Sequence, residues 1–127
     1  MTRKLKILIT DDSSLLRKKL RAELEGLDCE VIEAKNGKEA VMECLKEQPD
    51  GIILDIVMPE IDGVEALRAI RELRPDMQVI MLSSTGSAAN LIETLKLGAM
   101  DFIQKPYTSE QIQMVVKRLR KKVSLDA

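Results

Sequence analysis

A chain of 127 residues, 45% apolar and 32% charged, has the size and composition of one globular domain with its own core. Its formal net charge of -1 gives no reason to expect binding to nucleic acid or to a membrane. Histidine is absent, which excludes Ser-His-Asp and Cys-His nucleophiles, histidine metal sites and phosphohistidine carriers. Carboxylates, hydroxyls and lysine remain as candidates for chemistry.

The cellular compartment can be inferred from the cysteines and from the start of the chain. Cys29 and Cys44 are too few for a disulfide framework, and no apolar run has the length of a membrane span. Residues 1–4 lead directly into a short strand-like run, which is not typical of a signal peptide. We therefore expect reduced cysteines and a cytoplasmic location.

Five short apolar runs alternate along the chain with amphipathic stretches. The runs cover residues 5–10, 29–34, 51–56, 78–83 and 101–105, and each is too short for a helix. Between and after them apolar residues recur at three- and four-residue steps, as in Leu16, Leu20 and Leu24. The pattern predicts five β-strands, each followed by an α-helix.

Local signals mark the ends of the predicted helices. Gly26 and Gly98 stand where a helix commonly ends with a residue of positive φ. Thr108 and Gln111 have the spacing of a capping box at the start of the last helix. These residues support the helix boundaries that the periodicity predicts.

Strict alternation of strands and helices predicts an α/β fold, a doubly wound parallel sheet with helices on both faces. The first, third and fourth strands are nearly all apolar, which is typical of central strands, whereas Glu33 and Gln104 suit edge strands. These assignments predict the strand order 2-1-3-4-5 of flavodoxin-like (βα)5 folds. In such sheets the functional crevice lies at the carboxyl ends of strands one and three.

Polar residues stand at the carboxyl ends of four predicted strands. They are Asp11 and Asp12 after the first strand, Asp55 in the third, Ser83 in the fourth and Lys105 in the fifth. Each alone is more readily explained as a helix cap or a solvated side chain, but their convergence favours a functional site. Three carboxylates would repel one another unless a cation such as Mg²⁺ neutralised them. Without histidine, a carboxylate is the candidate nucleophile, which would form an aspartyl phosphate.

Four motifs agree in residue type and in order with one known family. They are Asp11-Asp12, residues 55–59 continuing to Asp62-Gly63, Ser83-Ser84, and residues 105–107. Together they resemble the receiver domains of bacterial two-component response regulators, over essentially the whole chain. The resemblance implies a single receiver domain over residues 1–127. It also implies a phosphorylation switch, not an enzyme beyond Mg²⁺-dependent self-phosphorylation and self-dephosphorylation.

The resemblance also implies roles for single residues. Asp55 would accept a phosphoryl group from the phosphohistidine of a sensor histidine kinase or a phosphotransfer domain. The ligands of Mg²⁺, or of Mn²⁺ in its place, would be Asp11, Asp12, Asp55 and the backbone carbonyl of Val57. Ser83 would be the switch hydroxyl, and Lys105 would pair with a phosphoryl oxygen. Phe102 would be the aromatic switch residue, and the bond between Lys105 and Pro106 would be cis.

Two other families with similar sheets disagree with specific residues. A haloacid-dehalogenase-type phosphatase needs a second aspartate two residues after its nucleophile, where this chain has Val57. A flavodoxin needs a phosphate-binding loop after the first strand, where Asp11 and Asp12 would repel phosphate. The basic residues of the first helix are expected to form a solvated face, or by the resemblance a docking site for the kinase: Arg17, Lys18, Lys19 and Arg21.

The output of the switch is open between two hypotheses. Residues 83–86 and 98–103 resemble chemotaxis-type response regulators, which implies a stand-alone protein that binds a flagellar switch protein through the fourth helix, fifth strand and fifth helix. The alternative is a phosphorelay or other non-chemotaxis regulator, or a receiver fragment of a longer regulator. We expect a monomer, with dimerisation on activation left open.

Overall fold

A computed structural model describes residues 3–56, 62–84 and 88–123, apart from the side chains of residues 88–90. Strands and helices alternate along the whole of it. The elements are β1 (Leu5–Thr10), α1 (Ser14–Gly26), β2 (Cys29–Ala34), α2 (Gly37–Glu47), β3 (Gly51–Asp55), α3 (Gly63–Leu73), β4 (Gln78–Ser83), α4 (Ala88–Lys96), β5 (Asp101–Gln104) and α5 (Ser109–Lys122).

The strands form one parallel sheet in the order β2-β1-β3-β4-β5. The predicted fold class and strand order are therefore confirmed. Two strands, β3 and β5, end one residue earlier than predicted, at Asp55 and Gln104, which is the ordinary uncertainty of a strand boundary. Because all strands run the same way, the ends of β1, β3, β4 and β5 lie along one edge of the sheet.

Each face of the sheet is covered by helices, because successive strand residues point to opposite sides. Ile7 and Ile9 pack in the cluster that contains the buried residues of α1 and α5, whereas Leu8 packs in the cluster that contains those of α2 and α3. Cys29 and Cys44 are free, buried thiols that belong to these two different clusters. The central strands β1, β3 and β4 are thus buried on both sides, as their apolar sequences require.

The helix ends follow the predicted signals with one exception. Thr108 and Gln111 form the capping box of α5, and Gly98 has a φ of +84°. The prediction for Gly26 is wrong, because α1 continues through it and the left-handed residue is Asp28, with a φ of +64°. Aspartate tolerates that conformation better than most side chains. Among the described helices, none combines the length and the apolar character needed to cross a bilayer.

The carboxyl end of α4 is fastened to α3 by Arg71. Its guanidinium donates hydrogen bonds to the carbonyl oxygens of Leu97, at 2.7 Å, and of Gly98, at 2.8 Å. A third hydrogen bond, of 2.9 Å, reaches the carbonyl oxygen of Pro75. Arg71 therefore sets the position from which the chain turns into β5.

Candidate functional site

Three aspartates gather at the carboxyl edge of the sheet. Asp11 and Asp12 lie in the turn between β1 and α1, and Asp55 ends β3. Each of the three offers a carboxylate oxygen, and these oxygens all lie within 4.8 Å of one another. Asp11 and Asp55 are buried, with 6% and 4% of their surface exposed, while Asp12 is exposed. The structure thus brings together the three carboxylates that were selected from the sequence.

Asp11 is held by contacts on both its backbone and its side chain. Its amide donates to the carbonyl oxygen of Ala34 at the end of β2, over 3.2 Å. One carboxylate oxygen, Oδ1, accepts the amide of Ser13 at 2.9 Å, and Oδ2 accepts the ammonium of Lys105 at 2.9 Å. Ser13 in turn caps α1 by accepting the amide of Leu16 at 3.2 Å. The turn that presents Asp11 is therefore also the first turn of a helix.

The ammonium of Lys105 lies between two carboxylates. Its Nζ is 2.9 Å from Asp11 Oδ2 and 2.9 Å from Asp55 Oδ2. Burial by itself lowers the pKa of Lys105, but the hydrogen bonds with Asp11 and Asp55 outweigh it and hold the pKa above its usual value. Lys105 therefore stays charged, and the peptide bond that follows it, to Pro106, is cis.

The charges of this cluster do not balance. Within the described part of the chain, three carboxylates are clustered, and the ammonium of Lys105 pairs with two of them, Asp11 and Asp55. Closely spaced carboxylates with an excess of negative charge are a ligand set for a hard divalent cation, which prefers oxygen ligands. The donor chemistry of Asp11, Asp12 and Asp55 thus fits Mg²⁺.

Gly63 allows α3 to begin directly against the backbone of Asp55. Its amide donates to the carbonyl oxygen of Ile56 at 2.8 Å. A Cβ at this position would lie 2.2 Å from the carbonyl oxygen of Asp55 and 2.6 Å from the Cα of Ile56. Asp62 caps the helix by accepting the amide of Glu65 at 2.9 Å. The sequence motif contained Gly63, but only the structure shows that it supports the strand end that bears Asp55.

The other predicted site residues have different positions relative to this cluster. Ser83 is fully buried at the end of β4, and its carbonyl oxygen accepts the amide of Lys105 at 2.7 Å. Phe102 lies in β5, paired in register with Met81, and packs half-buried against the core on the α2 and α3 side. The carbonyl of Val57 lies outside the described residues.

The contacts of Arg17 were missed by the sequence analysis, which expected a solvated face or, by the resemblance, a docking site for the kinase. Its Nη1 donates to the backbone carbonyl of Asp11 at 2.6 Å, and its Nε lies 3.0 Å from Oε1 of Glu33. Only 15% of the Arg17 side chain is exposed. Alternation along β2 places Glu33 on the same side as Cys29 and Val31, which pack in the cluster that contains the buried residues of α1.

A groove opens beside the aspartates, between α1 and the residues that follow β5. Its volume is about 450 Å³, and its walls include Leu16, Leu20, Lys105, Pro106 and Tyr107. Burial raises the pKa of Tyr107, so its hydroxyl stays neutral at physiological pH. The acidic cluster is thus reached past a largely apolar wall.

Comparison with known proteins identifies relatives over the whole fold. Residues 7–117 match the family of response regulator receiver domains. The chemotaxis protein CheY of Listeria monocytogenes is 39% identical over 118 residues, which cover 92% of this chain and 99% of that protein. The transcriptional regulatory protein ResD of Bacillus subtilis is 37% identical over 123 residues, 97% of this chain but 51% of that protein.

A solved structure also resembles this chain closely. It is a CheX–CheY–BeF3–Mg²⁺ complex from Borrelia burgdorferi, with a TM-score of 0.87 and 31% identity. The match covers 92% of this chain and 90% of that one.

Proposed function

This chain belongs to the family of response regulator receiver domains, and we propose that Asp55 is the residue whose phosphorylation operates it as a signalling switch. The observation that supports Asp55 is its position on β3, between β1 and β4. From there it faces the acidic pair on the β1 side and contacts Lys105, which follows β5. A phosphoryl group on Asp55 would therefore meet a cation site and an ammonium together.

The proposed reaction is transfer of a phosphoryl group from a donor's phosphohistidine to the carboxylate of Asp55. A carboxylate oxygen of Asp55 attacks phosphorus while the bond from phosphorus to the donor's histidine nitrogen breaks, and the electron pair leaves with the imidazole. Asp11, Asp12 and Asp55 would hold Mg²⁺, and the family resemblance adds the backbone carbonyl of Val57. Bound Mg²⁺ supplies charge neutralisation of the phosphoryl oxygens.

Lys105 and Ser83 respond to the new group. The ammonium of Lys105, now 2.9 Å from Asp55 Oδ2, donates to a phosphoryl oxygen instead. The Ser83 hydroxyl, at the end of the adjacent strand β4, donates to a second phosphoryl oxygen. Because the amide of Lys105 is bonded to the carbonyl of Ser83, movement of either residue is transmitted to β5, where Phe102 lies.

Partners are proposed for two surfaces. Receiver domains act with kinases, and the groove between α1 and the residues after β5 would receive the donor beside Asp11 and Lys105, both of which line it. The output surface is α4, β5 and α5, where apolar side chains are exposed: Ile92 at 54%, Leu95 at 52% and Met114 at 56%. A partner that covered these side chains would remove their apolar surface from water, which favours binding.

For the output we propose a chemotaxis role with a flagellar switch protein as partner, and one receiver domain over residues 1–127. The support is that CheY of Listeria monocytogenes is matched over 99% of its length. The second candidate is the receiver part of a longer regulator, which the match to 51% of ResD favours. Binding of a flagellar switch peptide to the BeF3-treated protein, measured by calorimetry, distinguishes them, since only the first role predicts tighter binding than in the untreated protein.

The phosphorylation site is tested by intact mass after incubation with acetyl phosphate. We expect the wild type to gain one phosphoryl group only when Mg²⁺ is present, and Asp55→Asn to gain none, because its amide is not a nucleophile. Asp50→Asn is the matched control, since it replaces another aspartate with a largely covered side chain beside the same strand. If Asp55→Asn were phosphorylated like the wild type, or if the wild type gained nothing, the proposed site would be wrong.

A further inference from the structure

The backbone of Asp11 is fixed by an arginine from the next helix. Beyond Thr10 the chain leaves the sheet, so the carbonyl of Asp11 has no strand partner. It accepts instead the Nη1 of Arg17, at 2.6 Å, in the first turns of α1. The amide of the same residue donates to Ala34. The peptide groups on both sides of Asp11 are thus bonded to two different elements.

Arg17 is itself oriented by Glu33 of β2. The Nε of Arg17 is 3.0 Å from Glu33 Oε1, and Arg21 Nη1 is 2.7 Å from Glu33 Oε2. The hydrogen bond from Arg21 is the main reason that the pKa of Glu33 lies below its usual value, so Glu33 is a carboxylate at neutral pH. Each oxygen of the Glu33 carboxylate therefore binds a different arginine. The bond from Oε1 fixes the plane of the Arg17 guanidinium so that its Nη1 points to the carbonyl of Asp11.

We propose that Arg17 is a positioning residue, which holds the turn after β1 so that Asp11 and Asp12 face a divalent cation, with Glu33 orienting it. This inference rests on the proposed function, since it concerns the ligands of the same cation. The side chain of Arg17 bonds to Glu33 and to the backbone carbonyl of Asp11. It acts through the carbonyl of Asp11, whose carboxylate is shared between Ser13 and Lys105.

An arginine is required because two bonds in fixed directions are made at once. The guanidinium offers Nε to Glu33 and Nη1 to the carbonyl of Asp11 in one rigid plane. A lysine has one ammonium on a flexible stem, so it can keep the ion pair or the carbonyl bond but fixes neither direction. Arg17→Lys is therefore expected to retain part of the effect, and Arg17→Gln almost none.

The test measures direct binding of Mn²⁺ to the unphosphorylated protein. The concentration of free Mn²⁺ is read from its electron paramagnetic resonance signal. We expect Arg17→Gln to bind Mn²⁺ about 10-fold more weakly than the wild type, as is usual when a group that supports a metal ligand is removed. Arg17→Lys should lie between them. Phosphorylation by acetyl phosphate should need more Mg²⁺ in Arg17→Gln and reach a similar rate once Mg²⁺ saturates.

Arg120→Gln is the matched control for a general loss of structure. Arg120 also donates to a backbone carbonyl over 2.6 Å, that of Leu27, at the other end of α1. Its variant should bind Mn²⁺ within about twofold of the wild type, since Leu27 is remote from the acidic cluster.

Three results would overturn the proposal. Equal Mn²⁺ affinity in the wild type and Arg17→Gln, or equal weakening in Arg17→Gln and Arg120→Gln, would refute the positioning role and leave the proposed function intact. Absence of Mn²⁺ binding in the wild type would refute the cation site and this inference together.

Discussion

Asp50 and Asp55 stand at opposite ends of β3, and both side chains are buried, 9% and 6% exposed. Asp50 accepts both terminal nitrogens of Arg3, at 2.6 and 2.7 Å, and the amide of Lys6 at 2.8 Å. Asp55 instead shares the ammonium of Lys105 with Asp11 and lies close to Asp12. Donors satisfy the first carboxylate, whereas the second belongs to a cluster with excess negative charge.

Asp50 therefore stabilises the fold through its ion pair, whereas the carboxylates of Asp11, Asp12 and Asp55 are grouped as ligands for a cation. The guanidinium and the amide hold the pKa of Asp50 below its usual value although burial opposes them. At the other end of β3, the ammonium of Lys105 is shared by the carboxylates of Asp11 and Asp55, with the carboxylate of Asp12 close to both. Substitutions at the two ends should therefore differ in size and in sign.

The largest expected difference in the free energy of unfolding is between alanine substitutions of two glycines, one near each end of β3. Gly63→Ala should lower the free energy of unfolding by about 3 kcal/mol, because the added Cβ meets backbone atoms that cannot move aside, the nearest at 2.2 Å. Gly51→Ala should cost about 1 kcal/mol, because its Cβ meets only the side-chain end of Leu119, at 2.8 Å. Urea unfolding of both variants measures the difference. Equal losses would mean that α3 can shift away from Asp55.

At the amino end, Asp50→Asn should lower the free energy of unfolding by about 2 kcal/mol at neutral pH, because the charged bonds to Arg3 are lost. The pKa of Asp50 is lower in the folded than in the unfolded protein. Its contribution is therefore complete above the unfolded pKa of about 3.9 and declines as the pH falls through the folded value.

Urea unfolding at about pH 7 and about pH 3 tests this. The difference in the free energy of unfolding between the wild type and Asp50→Asn should be smaller at the lower pH. A gap that widened in acid would show that Asp50 does not lose its ion pair there. Arg118→Gln, which breaks the more exposed pair with Asp101, is the control and should cost less than about 1 kcal/mol.

The fold and the position of the acidic cluster could largely be predicted from the sequence. Apolar runs, helical periods and strict alternation determine a parallel sheet, and the polar residues at the strand ends then meet at one edge. That logic located Asp11, Asp12, Asp55 and Lys105 without any contact being known. It succeeded because the direction of a parallel strand is sufficient to say where its last residue lies.

The supporting contacts could not be predicted in the same way. Whether Arg17 points to solvent or to Asp11 depends on the register of β2 beside β1, which pairs Ile9 with Glu33. No pattern within α1 contains that register. The error at Gly26 has a similar cause, since the point at which the chain turns into β2 placed the left-handed residue at Asp28.

The smallest effect has the opposite sign to that of Asp50→Asn. Asp12→Asn should raise the free energy of unfolding by about 1 kcal/mol without divalent cations. Asp12 lies close to the carboxylates of both Asp11 and Asp55, and each pair about 5 Å apart repels by roughly 3 kcal/mol at an effective dielectric constant of 20. Solvent around the exposed Asp12 screens most of this repulsion. Attraction to Lys105, and a contribution of about 0.3–1 kcal/mol from the nearby start of α1, offset part of it. Thermal unfolding in a chelator measures the net result.

Addition of Mg²⁺ should reverse the order of stability. A cation that binds only the folded protein stabilises it in proportion to the logarithm of its concentration over the dissociation constant. The wild type gains this stabilisation, whereas Asp12→Asn has lost one of the three clustered carboxylates and gains less. Asp50→Asn should respond to Mg²⁺ as the wild type does, because its site lies at the other end of β3. If Asp12→Asn were less stable than the wild type in the chelator, charge repulsion would not govern this edge, and the contrast between the two ends of β3 would fail.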